Sequence, residues 1–546
     1  MSALLPPTPL THHFSVFSLT RVREKHFPST SRRCRVHRTS FYAHAAPMTG
    51  HLLRKRVLVI GAGIGGLCAG VYLRRCGYPV EILERHSVAG GLCTCWLRGE
   101  YTFETCLRWF TGARPGGLLY DLWQEVFPVE RLQFCTPAES TRLEDHEGRH
   151  ITLWSNVDRL EQELLSKAPE DVREIRNLID SVRRLSRWNV PSPADPPLRA
   201  VLKGVRSLPY LLTLRPWMKI TTRAYAERFR NPLLRGFFAG GVDTDFAMLA
   251  TVLSLVWMNN GDGAYPVGGS RAVIGGLLDR YESLGGKICF GSEVVQIVVK
   301  QGQAVGVRLR DGETLAADVV VSAADGYTTL YELLNAECRD LRAERPYQTL
   351  KRFPSYLQVS LGVRRDFPNE PGSLLLFQPT PLEIDPQTTT KELSVRIFNF
   401  DPTTAPAGKT ALTCFLPTHD YEYWRSLRDQ DLAQYQAQKE RILRAVIDRL
   451  ARRLPDLPEV IEVVDVATPA TVQRFTNNWR GSMGGWLLTP GQPFMALRNS
   501  LSRLQRFYMV GHWVQPGSGL PTGVITARKA VQDICSKDGV RFTPAG

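Results

Sequence analysis

Residues 57–86, VLVIGAGIGGLCAGVYLRRCGYPVEILERH, constrain the fold more than any other part of the chain. Val57–Ile60 is a short apolar run that predicts a buried strand, and Gly61, Gly63 and Gly66 follow it as G-x-G-x-x-G. The first glycine permits a tight turn, the second lets a pyrophosphate approach the backbone, and the third lets the next helix pack close to the strand. This order predicts the opening strand, turn and helix of a nucleotide-binding unit.

Glu84 closes the unit, about twenty residues after the glycines. An acid there can accept hydrogen bonds from a ribose 2′-hydroxyl, and the N-terminus of the intervening helix offers N–H groups to phosphates. The unit therefore predicts a dinucleotide site, and the acid disfavours the 2′-phosphate of NADP. This stretch alone leaves NAD and FAD open. The alternative, a glycine-rich structural turn, does not require strand, helix and acid together.

The whole chain predicts an α/β (α+β) protein of two interleaved domains, because 546 residues are too many for one simple domain. A Rossmann-type nucleotide-binding domain is expected at 54–115, 262–330 and 500–540. A mixed sheet-plus-helix substrate domain is expected at 116–261 and 331–499.

Local patterns predict individual elements. The chain from Leu118 to about Asn260 has a mostly helical pattern. Gln301-Gly302 and Asp311-Gly312 predict the turns of a hairpin. Val319–Ser322 and Phe507–Val510 predict buried strands.

Residues 1–50 are predicted to lie outside the fold, as a disordered or transit-like extension. They hold seven Lys/Arg against the single acid Glu24 and have no hydrophobic periodicity. Two interpretations stay open. The segment is either an organelle transit peptide, which places the protein in a plastid or another organelle, or an upstream over-extension with Met48 as the true start. In a bacterium we would expect the protein at the cytoplasmic face of a membrane.

The cysteines and histidines predict no metal site. The eleven cysteines are scattered, and Cys93-x-Cys95, their closest pair, has no second pair at metal-ligand spacing. No apolar run reaches 18 residues, and Phe246–Met258, the longest candidate, predicts a buried helix. Part of the net charge of +15 is local to residues 1–50, and we expect no nucleic-acid partner.

Four stretches carry a resemblance to a known family. They are VIGAGIGGLCAGVYLRRCG…VEILERHSVAGG, YPVGGSRAVIGGLLDRYESLGGKI, VVQIVVKQGQAVGVRLRDG and FYMVGHWVQPGSGLPTGVITARKA. Together they resemble the carotenoid desaturase and carotenoid isomerase group of flavoproteins, which includes phytoene desaturase-type enzymes and retinol saturase, within the flavin amine oxidase superfamily. The resemblance covers about residues 55–540, and it implies FAD as the cofactor.

The resemblance also implies which residues contact FAD. The glycine turn and Gly90-Gly91 would lie along the diphosphate, Glu84 would bind the adenosine ribose, and Val294 would hold the adenine through its backbone. Gly511 and the turn at 519–521 would lie at the flavin end, where the next helix would aim its N–H groups at the N1/O2 edge. The full predicted set is Gly61, Gly63, Gly65, Gly66, Glu84, Arg85, Gly90, Gly91, Val294, Gly511, Gly519, Leu520 and Pro521.

Several positions depart from the family pattern. Leu92 stands where an Arg often follows the Gly-Gly pair, and residues 103–106 read Phe-Glu-Thr-Cys instead of Phe-Asp-x-Gly, so that Cys106 could obstruct a close approach. His512 follows the last strand in place of an acid or amide, and either tunes the flavin or serves as a hydrogen-bonded structural residue. Residues 526–528 read Thr-Ala-Arg instead of Ser-Gly-Arg.

In this family the substrate is a long apolar polyene or isoprenoid. The resemblance therefore implies hydride transfer between an allylic or polyene carbon and flavin N5, as desaturation, saturation or isomerisation. The sequence offers no acid/base pair or triad, so the catalytic residues stay unassigned. Only one nucleotide-binding unit is evident, and the electron acceptor (quinone, O2 or another) stays open.

Residues 199–235 mix apolar and aromatic side chains with cations. Such a mixture suits a segment that contacts anionic lipid at a membrane surface, or equally a helical cap with one solvated basic side. Two other functions stay open: an amine oxidase-type enzyme for a small amine, and a non-enzymatic prenyl or lipid carrier like the Rab-escort proteins. A carrier would not need Glu84 and the complete glycine turn.

Overall fold

The computed structural model describes residues 54–105, 107–190, 197–240, 243–338, 340–492 and 497–544. The predicted N-terminal extension (1–50) and Cys106 lie outside these residues. Within them, the strands are β1 (Val57–Ile60), β2 (Val80–Leu83), β3 (Cys95–Arg98), β4 (Tyr101–Glu104), β5 (Phe110–Thr111), β6 (Phe134–Cys135), β7 (Glu139–Glu144), β8 (His150–Trp154), β9 (Gly263–Pro266), β10 (Lys287–Cys289), β11 (Val294–Lys300), β12 (Gln303–Leu309), β13 (Thr314–Ala316), β14 (Val319–Ser322), β15 (Ser355–Val363), β16 (Ser373–Asp385), β17 (Thr388–Ile397), β18 (Thr410–Thr418), β19 (Ile461–Ala467) and β20 (Phe507–Met509).

The α-helices connect and cover these strands. They are α1 (Ile64–Arg75), α2 (Leu118–Gln124), α3 (Val157–Lys167), α4 (Val172–Leu185), α5 (Pro197–Arg206), α6 (Leu208–Trp217), α7 (Thr222–Ala226), α8 (Pro232–Ala239), α9 (Met248–Asn259), α10 (Gly269–Ser283), α11 (Gly326–Thr328), α12 (Leu341–Thr349), α13 (Tyr421–Gln430), α14 (Leu432–Ala451), α15 (Leu457–Val460), α16 (Pro469–Thr476) and α17 (Leu520–Lys537). None of the described helices is both long and apolar enough to cross a membrane.

A five-stranded parallel sheet has the order β10-β2-β1-β14-β20. Its central strands are buried on both faces, as their continuous apolar runs predict. One face packs against α1, α10 and α17, and the other against the antiparallel sheet β11-β12-β13. The strands of this sheet come from three distant parts of the chain.

A seven-stranded sheet has the order β19-β15-β18-β17-β16-β7-β8. Leu357, Val359 and Leu361 on β15 point to the face that α13 and α14 cover, where α14 contributes Ile442 and Val446. Because side chains alternate along a strand, the other face of β15 carries the intervening residues 356, 358 and 360. These residues are also buried, so both faces of β15 are covered.

The segment from Leu118 to Asn260 is mostly helical, as predicted, but it also contains strands that the sequence did not reveal. β6, β7 and β8 lie within residues 134–154, and β7 pairs in parallel with β16, more than 200 residues away. Among the described helices of the segment, α3, α4 and α6–α9 share one apolar core. A strand whose partner lies so far along the chain has no local turn signal to reveal it.

The remaining local predictions are confirmed. Gln301 and Gly302 have φ of 50° and 70° and join β11 to β12. β14 spans Val319–Ser322 as expected, and β20 ends one residue before the predicted limit. The predicted α/β (α+β) class is confirmed, while the described residues fall within one compact unit and the two-domain boundaries stay a prediction.

Candidate dinucleotide site

The carboxyl ends of the parallel strands bring the predicted residues to one edge of the sheet. Gly61 follows β1, Glu84 follows β2, and Gly511 lies shortly after β20. Open α/β sheets bind their ligands at this edge, outside the carboxyl ends of the strands. The structure therefore brings the first and last predicted segments together.

The glycine turn is built as its sequence requires. Gly61 has φ of 94°, and a Cβ on Gly66 would overlap the Gly61 carbonyl oxygen, so the helix could not pack so closely with any larger residue. Gly63 pairs with Gly90 in a short parallel bridge, and a Cβ on Gly91 would lie 3.5 Å from the Gly63 Cα. Gly90-Gly91 thus lies beside the turn, at the uncapped N-terminus of α1.

Glu84 is 8% exposed and lies under the turn. Its carboxylate accepts hydrogen bonds from the backbone N–H groups of Ala62 (2.7 Å) and His86 (2.8 Å). Burial raises the pKa of Glu84, and these two N–H groups oppose that effect. The carboxylate keeps further lone pairs for a ligand hydroxyl.

The start of β11, in the antiparallel sheet, lies close to Glu84 and Arg85. The Glu84 carbonyl accepts a hydrogen bond from Ser292 N, two residues before Val294 at the start of β11. Arg85 Nη2 lies 3.9 Å from Glu293 Oε1, and both side chains are partly exposed. The predicted ribose and adenine contacts therefore form one neighbourhood.

The C-terminal segment closes against α1. A Cβ on Gly65 would lie 3.4 Å from the Gly511 Cα, and a Cβ on Gly523 would lie 2.5 Å from Ile64 Cγ2. Gly519, with φ of 86°, precedes α17 and provides no side-chain cap, and Leu520 and Pro521 form the first turn. Gly511 and the first turns of α17, which starts at Leu520, therefore lie against the beginning of α1.

These features fit an extended dinucleotide. Apart from chain neighbours, no atom of the described residues would lie within 4 Å of a Cβ on Gly511, and for a Cβ on Gly63 the nearest such atom is the Gly90 carbonyl oxygen at 3.8 Å. The glycines on this edge thus leave the backbone accessible on the side away from the sheet. Two helix N-termini without side-chain caps, those of α1 and α17, supply N–H groups to it.

His512 lies beside the flavin end of the predicted site and is held by Asn478. Its Nε2 lies 3.2 Å from Asn478 Oδ1, which also accepts a hydrogen bond from Trp513 Nε1 at 2.9 Å. Burial lowers the pKa of His512 to about 4, so the ring is neutral at neutral pH. Of the two roles considered for this residue, the contacts favour the structural one.

An aromatic cluster that the sequence analysis missed adjoins His512. Trp486 donates from Nε1 to the Trp513 carbonyl, and the ring centroids of Trp486 and Trp513 are 5.0 Å apart. Tyr347 contacts both rings. Tyr347 lies more than 100 residues before the two tryptophans, and no sequence motif joins the three rings.

Leu92 and Glu104, two of the departures from the family pattern, face the seven-stranded sheet. Leu92 packs in a cluster with Tyr356 and Phe415. Glu104, at the end of β4, accepts hydrogen bonds from the backbone N–H and the hydroxyl of Ser270, at the start of α10. Burial raises the pKa of Glu104 to about 7, and the side chain ties β4 to α10.

Comparisons with known proteins agree with this geometry. Residues 64–535 match the family described as flavin containing amine oxidoreductase. The chain is 25% identical over 509 residues to the chloroplastic prolycopene isomerase of Arabidopsis thaliana, with 87% of this chain and 82% of the relative covered. It is also 25% identical over 510 residues to a 4,4′-diapophytoene desaturase (4,4′-diapolycopene-forming) of Methylomonas sp, with 89% and 96% covered.

Solved structures share the fold. Cyclohexylamine oxidase from Brevibacterium oxydans superposes with a TM-score of 0.56 at 16% identity, over 89% of this chain and 100% of that one. A likeness at this identity concerns the fold alone, whereas the family match covers most of the chain. The protein therefore belongs to the flavin-containing amine oxidoreductase family, and its cofactor is FAD.

Proposed function

We propose that this protein is an FAD-dependent oxidoreductase that acts on a hydrophobic polyene or isoprenoid, by hydride transfer to or from flavin N5. Desaturation, saturation and isomerisation are the reactions in question. The observation that carries the proposal is the similarity over 87–89% of the chain to a prolycopene isomerase and a diapophytoene desaturase. The wider family membership supports an oxidoreductase of some kind.

The predicted cofactor residues would hold FAD as follows. The N–H groups of the Gly61–Gly66 turn and the backbone of Gly90-Gly91 would bind the diphosphate, and Glu84 would accept hydrogen bonds from the ribose. Gly511 and the 519–521 turn would lie along the isoalloxazine ring. When bound, FAD supplies the hydride acceptor or donor at N5.

The protein side chains would mainly orient the substrate and exclude water. Leu92, which directly follows Gly91, packs in an apolar cluster with Tyr356 and Phe415. Such a cluster is suited to contact with a hydrocarbon chain. His512 is neutral at neutral pH, so it would not act as a cation against the ring. We assign no residue as general acid or base.

We propose that the protein takes its substrate from a membrane surface, which α5 and α6 would contact. α5 and α6 expose a row of apolar side chains, including Leu198 (83% exposed), Val205 (71%) and Leu212 (60%). The same stretch, from Pro197 to Lys219, carries five cations and no acid. Apolar side chains among cations favour contact with an anionic bilayer.

Vesicle binding tests this surface. The double variant Val205→Asp/Leu212→Asp removes two anchors and adds repulsion, so binding to anionic phosphatidylglycerol vesicles is expected to fall roughly tenfold or more, measured by co-sedimentation. Leu432→Asp is the matched control, because Leu432 on α14 is also 60% exposed but lies outside the surface. Equal loss in both variants would argue against this site.

The reaction is tested on the purified holoprotein in detergent or vesicles, without oxygen. A linear conjugated polyene is expected either to bleach the oxidised flavin band or, with flavin reduced beforehand, to yield a saturated or isomerised product on chromatography. Bleaching by putrescine but not by the polyene would support the amine oxidase alternative. A protein that binds no flavin would support the carrier alternative.

A further inference from the structure

One face of the seven-stranded sheet is unusually polar for a surface that would meet a hydrocarbon. Cross-strand register places Gln358 opposite Phe415, Phe415 opposite Ser394, and Thr413 opposite Arg396. Because alternate residues share a face, these five residues form one continuous patch. Phe415 joins the patch to Leu92, and so to the Gly90-Gly91 segment of the cofactor site.

Arg108 lies against this patch. Its Nη2 donates to Ser394 Oγ at 3.2 Å, and its guanidinium lies 5.6 Å from the centroid of the Phe415 ring. Arg396 donates from Nη1 to the Arg108 carbonyl at 3.1 Å. Burial and the neighbouring Arg396 lower the pKa of Arg108 to about 10, so Arg108 is still a cation at neutral pH.

Neither arginine has a carboxylate partner among the residues that the structure describes. The contacts of Arg108 are a hydroxyl and an aromatic ring, and those of Arg396 are a backbone carbonyl and the rings of Tyr265, Phe398 and Phe400. The charge of Glu104 acts to raise the pKa of Arg396, but the Glu104 carboxylate already accepts hydrogen bonds from Ser270. Both arginines are partly buried, and a guanidinium withdrawn from water without a counter-ion is costly.

The patch also holds polar atoms without partners. Arg396 Nε, Thr413 Oγ1 and Gln358 Oε1 are buried and form no hydrogen bond among the described residues. The first two can donate a hydrogen bond, whereas the Gln358 oxygen accepts one. Buried donors are nearly always satisfied in proteins, so two of them beside an unpaired arginine indicate an oxygen-bearing ligand.

We propose that Arg108, together with Arg396 and Thr413, binds a carboxylate at one end of the substrate. The substrate is then a polyene or isoprenoid acid, and not a hydrocarbon. The polyene part of this substrate rests on the proposed function, whereas its carboxylate end is inferred from the polar patch. Arg108 fits the role because a guanidinium can hold both oxygens of a carboxylate at once.

The test compares cis-parinaric acid, a fluorescent polyene acid, with its methyl ester, which is the same polyene without the charge. Both are titrated into the FAD-loaded protein at neutral pH, and binding is read as quenching of the probe by the flavin, whose visible absorption overlaps the probe emission. We expect the acid to bind roughly tenfold or more tightly than the ester.

The variants separate a ligand contact from a structural one. Arg108→Met is expected to abolish the preference for the acid and to leave the ester affinity within about twofold, whereas Arg108→Lys keeps part of the preference. Arg114→Met, which removes an exposed arginine nearby, is the control and should behave as wild type. FAD content and melting temperature are measured for each variant.

Three other outcomes would count against one or the other proposal. Equal binding of acid and ester by the wild type would overturn the carboxylate site and leave the polyene proposal intact. Equal weakening of both probes in Arg108→Met would show a structural role only and would also overturn it. If neither probe binds to the wild type, the polyene function itself fails.

Discussion

Glu84 combines two tasks in one side chain. Its carboxylate holds the Ala62 and His86 N–H groups, which shapes the turn, and the same group would receive the ribose. Both tasks depend on negative charge or at least on accepting oxygens, since each donor is an N–H or O–H group.

Glu84→Gln is therefore expected to weaken FAD binding about tenfold or more, because a charge-assisted hydrogen bond is lost and an amide donor faces backbone donors. The measurement is titration of the flavin-free protein with FAD. Glu313→Gln, in the exposed hairpin turn, should leave the affinity unchanged. An unchanged affinity in Glu84→Gln would contradict the ribose assignment.

His512 makes stability depend on pH. Its pKa is about 4 when folded, below the ~6.5 of a free histidine. The neutral ring stabilises the fold above about pH 6.5, and this contribution is lost as the pH falls toward 4, because the unfolded chain takes up the proton first. Between pH 7 and pH 5 the loss is on the order of 1–2 kcal/mol.

We expect His512→Gln to lose less stability than the wild type over that interval. The free energy of unfolding by urea at the two pH values provides the measurement. Parallel pH dependence in the two proteins would mean that His512 takes up no proton when the protein unfolds. It would then no longer follow that the ring is neutral in the folded protein at pH 5.

Single residues differ in how far the sequence reveals them. Glu84 was predicted because its spacing from the glycines is fixed by one short βαβ unit. Arg108 and Arg396 were not predicted, since their neighbours depend on the register of β17 and β18 and on a loop almost 300 residues earlier. No local pattern encodes that contact.

At the scale of elements, α1 and α17 meet through glycine. A Cβ on Gly523 would lie 2.5 Å from Ile64 Cγ2 and 3.1 Å from Gly65 N. Because Ile64 and Gly65 belong to the predicted cofactor turn, crowding here would displace the turn as well as the helix.

Gly523→Ala is expected to lower stability by about 1–3 kcal/mol and to reduce the ratio of FAD to protein after purification. Gly275→Ala is the matched control: Gly275 also lies in a helix, α10, and outside that helix a Cβ there would meet no atom of the described part of the chain within 4 Å. That change should stabilise the protein slightly. Thermal unfolding and flavin absorbance report both effects.

Elements were predictable where their determinants are local. The turn dipeptides Gln301-Gly302 and the run Val319–Ser322 specify a hairpin and a strand without outside help. β7 and β8 were missed because their place in a sheet depends on β16, and the amphipathic helices on either side dominate the pattern of that segment.

At the scale of the whole molecule, the cofactor site is a junction between distant parts of the chain. The predicted adenosine contacts come from residues 84–85 and 294, and the predicted flavin contacts from residues 511–521. A ligand that spans them binds only the folded state and therefore stabilises it.

FAD is expected to raise the melting temperature of the flavin-free protein, with a gain of about 2.7 kcal/mol at a hundredfold excess over Kd. FMN has the same ring system but lacks the adenosine half, so it should stabilise the protein much less than FAD at equal concentration. Differential scanning fluorimetry compares the two. Equal stabilisation by FMN would mean that the Glu84 end contributes nothing.

The parallel sheet also has a consequence for synthesis on the ribosome. β14 pairs with β1 on one side, but its other neighbour, β20, lies beyond residues 323–506. At ~5–20 residues per second, that edge waits about ten to forty seconds for its partner. Throughout this interval the nascent chain presents an unpaired strand edge, which is where chaperones, or another nascent chain, would first attach.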